Sequence, residues 1–233
     1  MASGRPTALI VGASRGLGLG LAAEYLSRGW DVVATVRGSG RTGLHDLQEK
    51  VGGGHLDIET VDIAEPEQVA ALRQRLSGRT FDLLFVNAGI ANDPDETVGN
   101  VATDEFVRVM VTNALSPMRV IEAFDDLVTP AGTIGVMSSG LGSVADNEHG
   151  GWEVYRASKA ALNTLMRSYG ARHRKDARAL LIIAPGWVRT DMGGPHAMLE
   201  INESIPRVVD VITAQSGKPG VRYLNYQGQT VRW

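Results

Sequence analysis

Cysteine is absent from the 233-residue chain, which excludes disulfides and thiolate catalysis and says little about compartment. Net charge is nearly absent too: −3 overall is too little to argue for nucleic acid or an anionic membrane surface as a partner. Long apolar runs are missing; Ala179 to Ala184 is the longest and falls far short of a bilayer span. Met-Ala-Ser-Gly-Arg-Pro leads straight into the strand-like Leu9-Ile10-Val11 with no room for a secretory h-region, so a cytoplasmic location is expected. His45, His55, His149, His173 and His196 show no metal-ligand spacing, and no metal is expected. There is no internal repeat, low-complexity tract or linker. What is present is ordinary globular composition, 43% hydrophobic and 21% charged, over a length that suits one domain spanning residues 1–233.

Apolar, strand-like runs alternate with amphipathic segments throughout. The strands read as Thr7–Val11, Val32–Val36, Leu56–Val61, Phe81–Val86, Thr133–Met137, Ala179–Ile183 and Val221–Asn225. The helices read as Leu17–Arg28, Leu44–Val51, Glu65–Leu76, Asp104–Leu127, Val154–Arg172 and about Asn202 to Ala214. Continuous apolar strands separated by helices imply a mainly parallel sheet covered on both faces. Right-handed crossovers make this a Rossmann-type, doubly wound α/β fold of about seven strands, with its ligand at the carboxyl ends of the strands.

Gly12, Gly16 and Gly18 are spaced G-x-x-x-G-x-G between the first strand and the first helix. Such a turn lets the backbone approach a pyrophosphate and aims helix amides at the anion, although glycines after a strand also serve simply as turn formers. Tyr155 and Lys159 lie four residues apart, so on a helix the phenol and ammonium share a face. A cation there would lower the tyrosine pKa from its reference near ~10 and make Tyr155 a proton donor and acceptor near neutral pH. The plainer reading of the pair is a packed aromatic beside a solvated lysine. Pro117 has no N–H for the carbonyl of Asn113, four residues back, and the spacing predicts a kink there.

In order along the chain stand the glycine turn, Asn87-Ala88-Gly89, Asn113, Ser138-Ser139, Tyr155-x-x-x-Lys159 and Pro185-Gly186-Trp-Val188-Arg-Thr190. This series resembles the short-chain dehydrogenase/reductase family over essentially the whole chain. Met137–Ser143, Pro185–Gly194 and the Asn225-Tyr-Gln-Gly ending look closest to its branch of sniffer and C-factor-like carbonyl reductases. The resemblance implies reversible hydride transfer between a nicotinamide cofactor and a carbonyl or alcohol. Tyr155 would be the general acid/base, and Lys159 would lower its pKa and hold the nicotinamide ribose. A serine would bond the substrate oxygen, and Asn113 would hold a water in a proton relay to Lys159. Ser139 matches the family's Ser-x-x-Gly, whereas Ser138 would point to the opposite face of a continuing strand. Ser139 precedes Tyr155 by sixteen residues, longer than is usual in the family, which implies a small insertion around Asn147–Gly151. The cofactor would lie against Gly12, Ser14, Arg15, Gly16, Leu17 and Gly18, then Arg37, Asp62 and Ile63, then Asn87, Ala88 and Gly89. Tyr155, Lys159, Pro185, Gly186, Val188 and Thr190 would complete its site, with Asp62 at the adenine and Thr190 at the carboxamide.

No Asp or Glu falls between Asp31 and Asp46, where an NAD-preferring site places an acid after strand two. Arg37 and Arg15 offer guanidinium groups instead, so NADPH is expected over NADH; the alternative is that both are solvated loop residues. Asp62 and Thr190 also have plainer readings, as cap or turn residues. Specificity falls to Ile90–Thr97, Gly140–Trp152 and Thr190–Pro206, the last a candidate lid and substrate loop. Leu141, Trp152, Trp187, Met192 and Met198 are candidates for an apolar wall, or equally for core and surface filler. With no evident arginine clamp, a moderately apolar aldehyde or ketone is the expected substrate.

The leading reading is an NADPH-dependent carbonyl reductase. A second is an NAD(P)-binding signalling protein of the C-factor type with little turnover. A lyase of the halohydrin dehalogenase type fits less well, because Lys159 and the three glycines are intact, and an extended-class epimerase would need a longer C-terminal region. Homo-oligomer and monomer both remain open.

Overall fold

Successive side chains of a strand point to opposite faces, so a strand apolar at every position demands cover on both sides. The first strand shows this directly: Leu9 and Val11 enter one core cluster, while Ala8 and Ile10 enter another. The computed structural model describes residues 4–233. Its strands are β1 (Thr7–Val11), β2 (Asp31–Val36), β3 (Leu56–Thr60), β4 (Phe81–Val86), β5 (Val128–Met137), β6 (Ala179–Ala184) and β7 (Gly220–Asn225). All pair in parallel, in the order β3-β2-β1-β4-β5-β6-β7.

The helices are α1 (Gly16–Ser27), α2 (Gly43–Val51), α3 (Pro66–Arg75), α4 (Thr103–Met110), α5 (Ser116–Phe124), α6 (Glu153–Arg172) and α7 (Ile201–Ala214). Leu21 and Tyr25 of α1 and Ile205 and Val208 of α7 cover one face of the sheet. Leu72 of α3, Ile121 of α5 and Leu162 and Met166 of α6 cover the other. The strand order reverses between β1 and β4, opening a crevice at their carboxyl ends. Among the described residues no helix is long and apolar enough to cross a membrane.

The expected helix Asp104–Leu127 is not continuous. Between α4 and α5 lies a π-helical turn, Val111–Leu115, in which the Ser116 N–H bonds the Val111 carbonyl five residues back. Pro117 follows at once and cannot continue an i to i+4 ladder, so the predicted kink takes the form of a widened turn. A 3-10 turn then ends the segment at Leu127, and β5 begins at Val128, earlier than the expected Thr133.

Candidate active site

Beyond Val11 the chain turns on Gly12 (φ 88°) and Gly16 (φ 57°), conformations in which a side chain is disfavoured. Thr35 of β2 anchors this turn, its hydroxyl accepting the Gly12 N–H at 2.9 Å and its carbonyl the Ala13 N–H at 2.7 Å. From the loop after β4, the Asn87 amide donates to the Gly12 carbonyl at 2.7 Å. A Cβ on Gly18 would fall 2.1 Å from that carbonyl oxygen. α1 starts at Gly16 with no side-chain cap from Arg15 and no acid in its first turn. Uncapped amides at a dipole's positive end, reached over bare glycine backbone, fit a pyrophosphate.

The other expected cofactor contacts spread along the same edge. Arg37 is exposed directly after β2, Ser14 and Leu17 are half-buried at the turn, and Ile63 is buried. Asp62 serves as a turn residue, its Oδ1 accepting the Ala64 N–H at 2.9 Å. Arg15 pairs with Asp191, tying the glycine turn to the segment after β6.

Tyr155 lies in the first turn of α6 and is 9% exposed. Its neighbour Trp152 precedes the helix with φ 54° and ψ 36°, after Gly150 and Gly151 at φ 65° and 68°. Among the described residues Trp152 alone has a positive φ without being glycine, a conformation that costs about 1–3 kcal/mol. Its indole meets the Tyr155 ring edge-on at 5.8 Å.

The two serines at the end of β5 separate. Ser138 is buried and donates to Asn163 Oδ1 at 2.7 Å. Ser139 turns its hydroxyl to the Tyr155 phenol, and the Leu141 N–H donates to its oxygen at 3.1 Å. Lys159 is 3% exposed; its ammonium donates to the Met137 carbonyl at 3.0 Å and lies 5.7 Å from the Tyr155 ring centre. Asn113, in the π turn, bonds both main-chain groups of Ile90 at 2.8 Å and donates to Ser158 Oγ at 3.0 Å. Its side chain therefore braces the loop carrying Ala88 and Gly89. A Cβ on Gly89 would lie 3.3 Å from both Asn113 Oδ1 and Lys159 Nζ, so the three converge.

Burial reverses one expectation. Tyr155 is pushed up to about 12, chiefly by desolvation, with the Ser139 hydrogen bond pulling it down and Tyr223 pushing it up. The depression expected from Lys159 does not set its value, because the cost of burying the phenolate outweighs it. Desolvation pulls Lys159 down to about 8.

The loop after β6 crosses the glycine turn. A Cβ on Gly16 would touch the Thr190 methyl at 3.7 Å. Thr190 also takes the turn role, its hydroxyl oxygen accepting the Gly193 N–H at 3.1 Å. The Pro185 carbonyl accepts from Ser204 at 2.7 Å, Gly186 adopts φ 86°, and Val188 pairs with Leu199. The loop ends at Glu200, so the Ile201–Pro206 part of the expected substrate loop is instead the start of α7. Of the candidate wall, Leu141 and Trp152 are half-buried, while Trp187, Met192 and Met198 are exposed. His45 caps α2, His55 pairs with Asp31 and His173 meets the Tyr169 carbonyl. No cluster suited to a metal exists among the described residues.

Sequence reasoning missed Tyr223, which reaches the site from β7 with no local pattern to mark it. It also missed that Asp191, within the Thr190–Pro206 segment it did name, pairs with Arg15.

Residues 6–198 match the short chain dehydrogenase family. The 1-hydroxy-2-glutathionyl-2-methyl-3-butene dehydrogenase of Rhodococcus sp. (strain AD45) is 30% identical, over 97% of this chain and 99% of its own. The C-signal protein of Myxococcus xanthus is 35% identical over 65% of this chain and 92% of its own. A short-chain dehydrogenase/reductase of Burkholderia multivorans with bound NADP is 61% identical, covering 99% of this chain and 100% of its own with TM-score 0.97. A carbonyl reductase of Pseudomonas aeruginosa PAO1 in complex with NADP is 36% identical, covering 99% and 100% with TM-score 0.91. The parallel seven-stranded sheet, its glycine turn at the switch point and these matches lead to one conclusion: the chain belongs to the short-chain dehydrogenase family of oxidoreductases.

Proposed function

We propose that the protein reduces a moderately apolar aldehyde or ketone to the alcohol at the expense of NADPH. The observation that carries this reading is the convergence of the Ser139 hydroxyl on the buried Tyr155 phenol, with Lys159 beside them and the glycine turn on the same sheet edge. NADP in the Burkholderia and Pseudomonas structures supports the choice of cofactor. The first-turn amides of α1 would hold its pyrophosphate and Arg37 its 2′-phosphate. When bound, the nicotinamide supplies the hydride.

The chain's own part is proton transfer and orientation. A phenol raised to about 12 stays protonated at neutral pH, as a proton donor must. The Leu141 N–H occupies a lone pair of the Ser139 oxygen and leaves its hydroxyl proton for the substrate oxygen. Tyr155 delivers its proton to that oxygen as negative charge develops there, and the Ser139 hydrogen bond and the Lys159 charge stabilise the phenolate. Lys159, held near 8, is poised to pass a proton on, with a water at the Asn113 main chain as its source.

The test is NADPH and NADH consumption against aldehydes, ketones and diketones. Tyr155→Phe should lower turnover by roughly 10²–10⁴-fold while leaving NADPH affinity intact. The similarity to C-signal keeps a signalling reading in play. Tight NADPH binding with no turnover across the panel would favour it.

A further inference from the structure

Tyr223 lies mid-strand in β7, paired with Ile182 of β6, and is 1% exposed. Its phenol reaches across the sheet edge and donates to the main-chain carbonyl of Ser139. The same carbonyl accepts the Gly142 N–H at 2.9 Å, so both of its lone pairs are engaged. Ser138 Oγ and the Asn163 amide also lie against the Tyr223 oxygen, and Ser138 donates to Asn163. Two neighbouring serines are thus held in one buried network, with Ser138 by its side chain and Ser139 by its carbonyl.

The ring of Tyr223 is fixed in turn. Trp233 meets it edge-on at 5.7 Å, and Arg167 of α6 sits 4.7 Å above the Trp233 ring. Val231 donates to the Tyr223 carbonyl and Ala145 to the Trp233 carbonyl, each at 2.9 Å. These contacts pin the last residues to the loop that follows Ser139. With its carbonyl bound, Ser139 holds the extended backbone (φ −156°, ψ 150°) that aims its side chain at Tyr155.

We propose that Tyr223 is a positioning residue, which fixes the Ser139 carbonyl and thereby aims the Ser139 hydroxyl at the substrate oxygen beside Tyr155. The proposal rests on the carbonyl reductase reading of Ser139. Tyr223→Phe is a fair probe because it keeps the ring against Trp233, and the Ser139 carbonyl keeps its bond from Gly142. The groups left behind are not stripped of partners, so the variant should fold.

The experiment is a double-mutant cycle with Ser139→Ala, using NADPH and whichever of 4-nitrobenzaldehyde or phenanthrenequinone the wild type reduces. Tyr223→Phe should lower kcat about ten- to a hundredfold, as a displaced hydroxyl would, with KM for NADPH unchanged. In the Ser139→Ala background the same change should have less than about a twofold effect, because the group it acts through is gone. Multiplying losses would show that Tyr223 acts by another route and would overturn the proposal. Full activity in Tyr223→Phe, with Ser139→Ala impaired, would overturn the proposal and leave the catalytic reading standing. Full activity in Ser139→Ala would overturn both. A crystal structure of Tyr223→Phe needs no turnover: a Ser139 hydroxyl turned from Tyr155 supports positioning, and an unmoved one refutes it.

Discussion

Lys159 stands where a charge is costly. Its ammonium is 3% exposed, and burial lowers its pKa from 10.5 to about 8. Between those values the unfolded chain binds the proton more tightly than the folded one, so stability rises with pH across the window. Below about 8 the penalty is present in full. Lys159→Met should therefore be more stable than wild type at pH 7, by at most about 3 kcal/mol, while losing turnover. The difference should shrink toward pH 10.5; Tyr155, raised toward 12, is common to both proteins and cancels. Urea unfolding at the two pH values measures this, and equal stabilities at pH 7 would contradict it. The spacing of Tyr155 and Lys159 is legible in the sequence. Their shifts are not, because they depend on how deeply the tertiary structure buries the pair, with Met137 and Tyr223 brought up from distant segments.

Elements meet at the glycine turn with little slack. A Cβ at Gly18 would overlap the Gly12 carbonyl and approach the Asn87 amide to 2.6 Å, so Gly18→Ala must displace backbone. We expect it to cost about 1–3 kcal/mol of stability and at least tenfold in NADPH affinity, read by urea unfolding and by NADPH fluorescence. Gly40→Ala, with open space around the added methyl, should change stability by less than about 0.5 kcal/mol. The glycine spacing pointed to a tight turn; that Gly18 packs on the Gly12 carbonyl beside Asn87 was not legible, since Asn87 arrives from another strand. Pro117 foretold a kink; that it would be a π turn presenting Asn113 to Ile90 was not legible, since Ile90 lies 23 residues back in the chain. The strained Trp152 followed from nothing local: a bulky residue holds a left-handed conformation only when its surroundings over-determine it.

For the whole molecule, a bound cofactor should stabilise the fold by mass action. At a hundredfold excess over Kd this is about 2.7 kcal/mol, or roughly 5–10 °C in Tm for a chain of this size. NADPH should raise Tm more than NADH at equal concentration, and Arg37→Ala should remove most of the difference. Equal shifts with the two cofactors in wild type would contradict the assignment of Arg37. The sequence by itself determined the doubly wound α/β class, the alternation of strands and helices, and the order of the motifs, because burial on both faces of a parallel strand leaves a continuous apolar run in the chain. Tertiary structure alone decided that burial outweighs Lys159 in setting the phenol, that Tyr223 reaches Ser139 and that Asp191 pairs with Arg15. These contacts link residues 84 and 176 positions apart, and hydrophobic periodicity carries information only over a turn or two of chain.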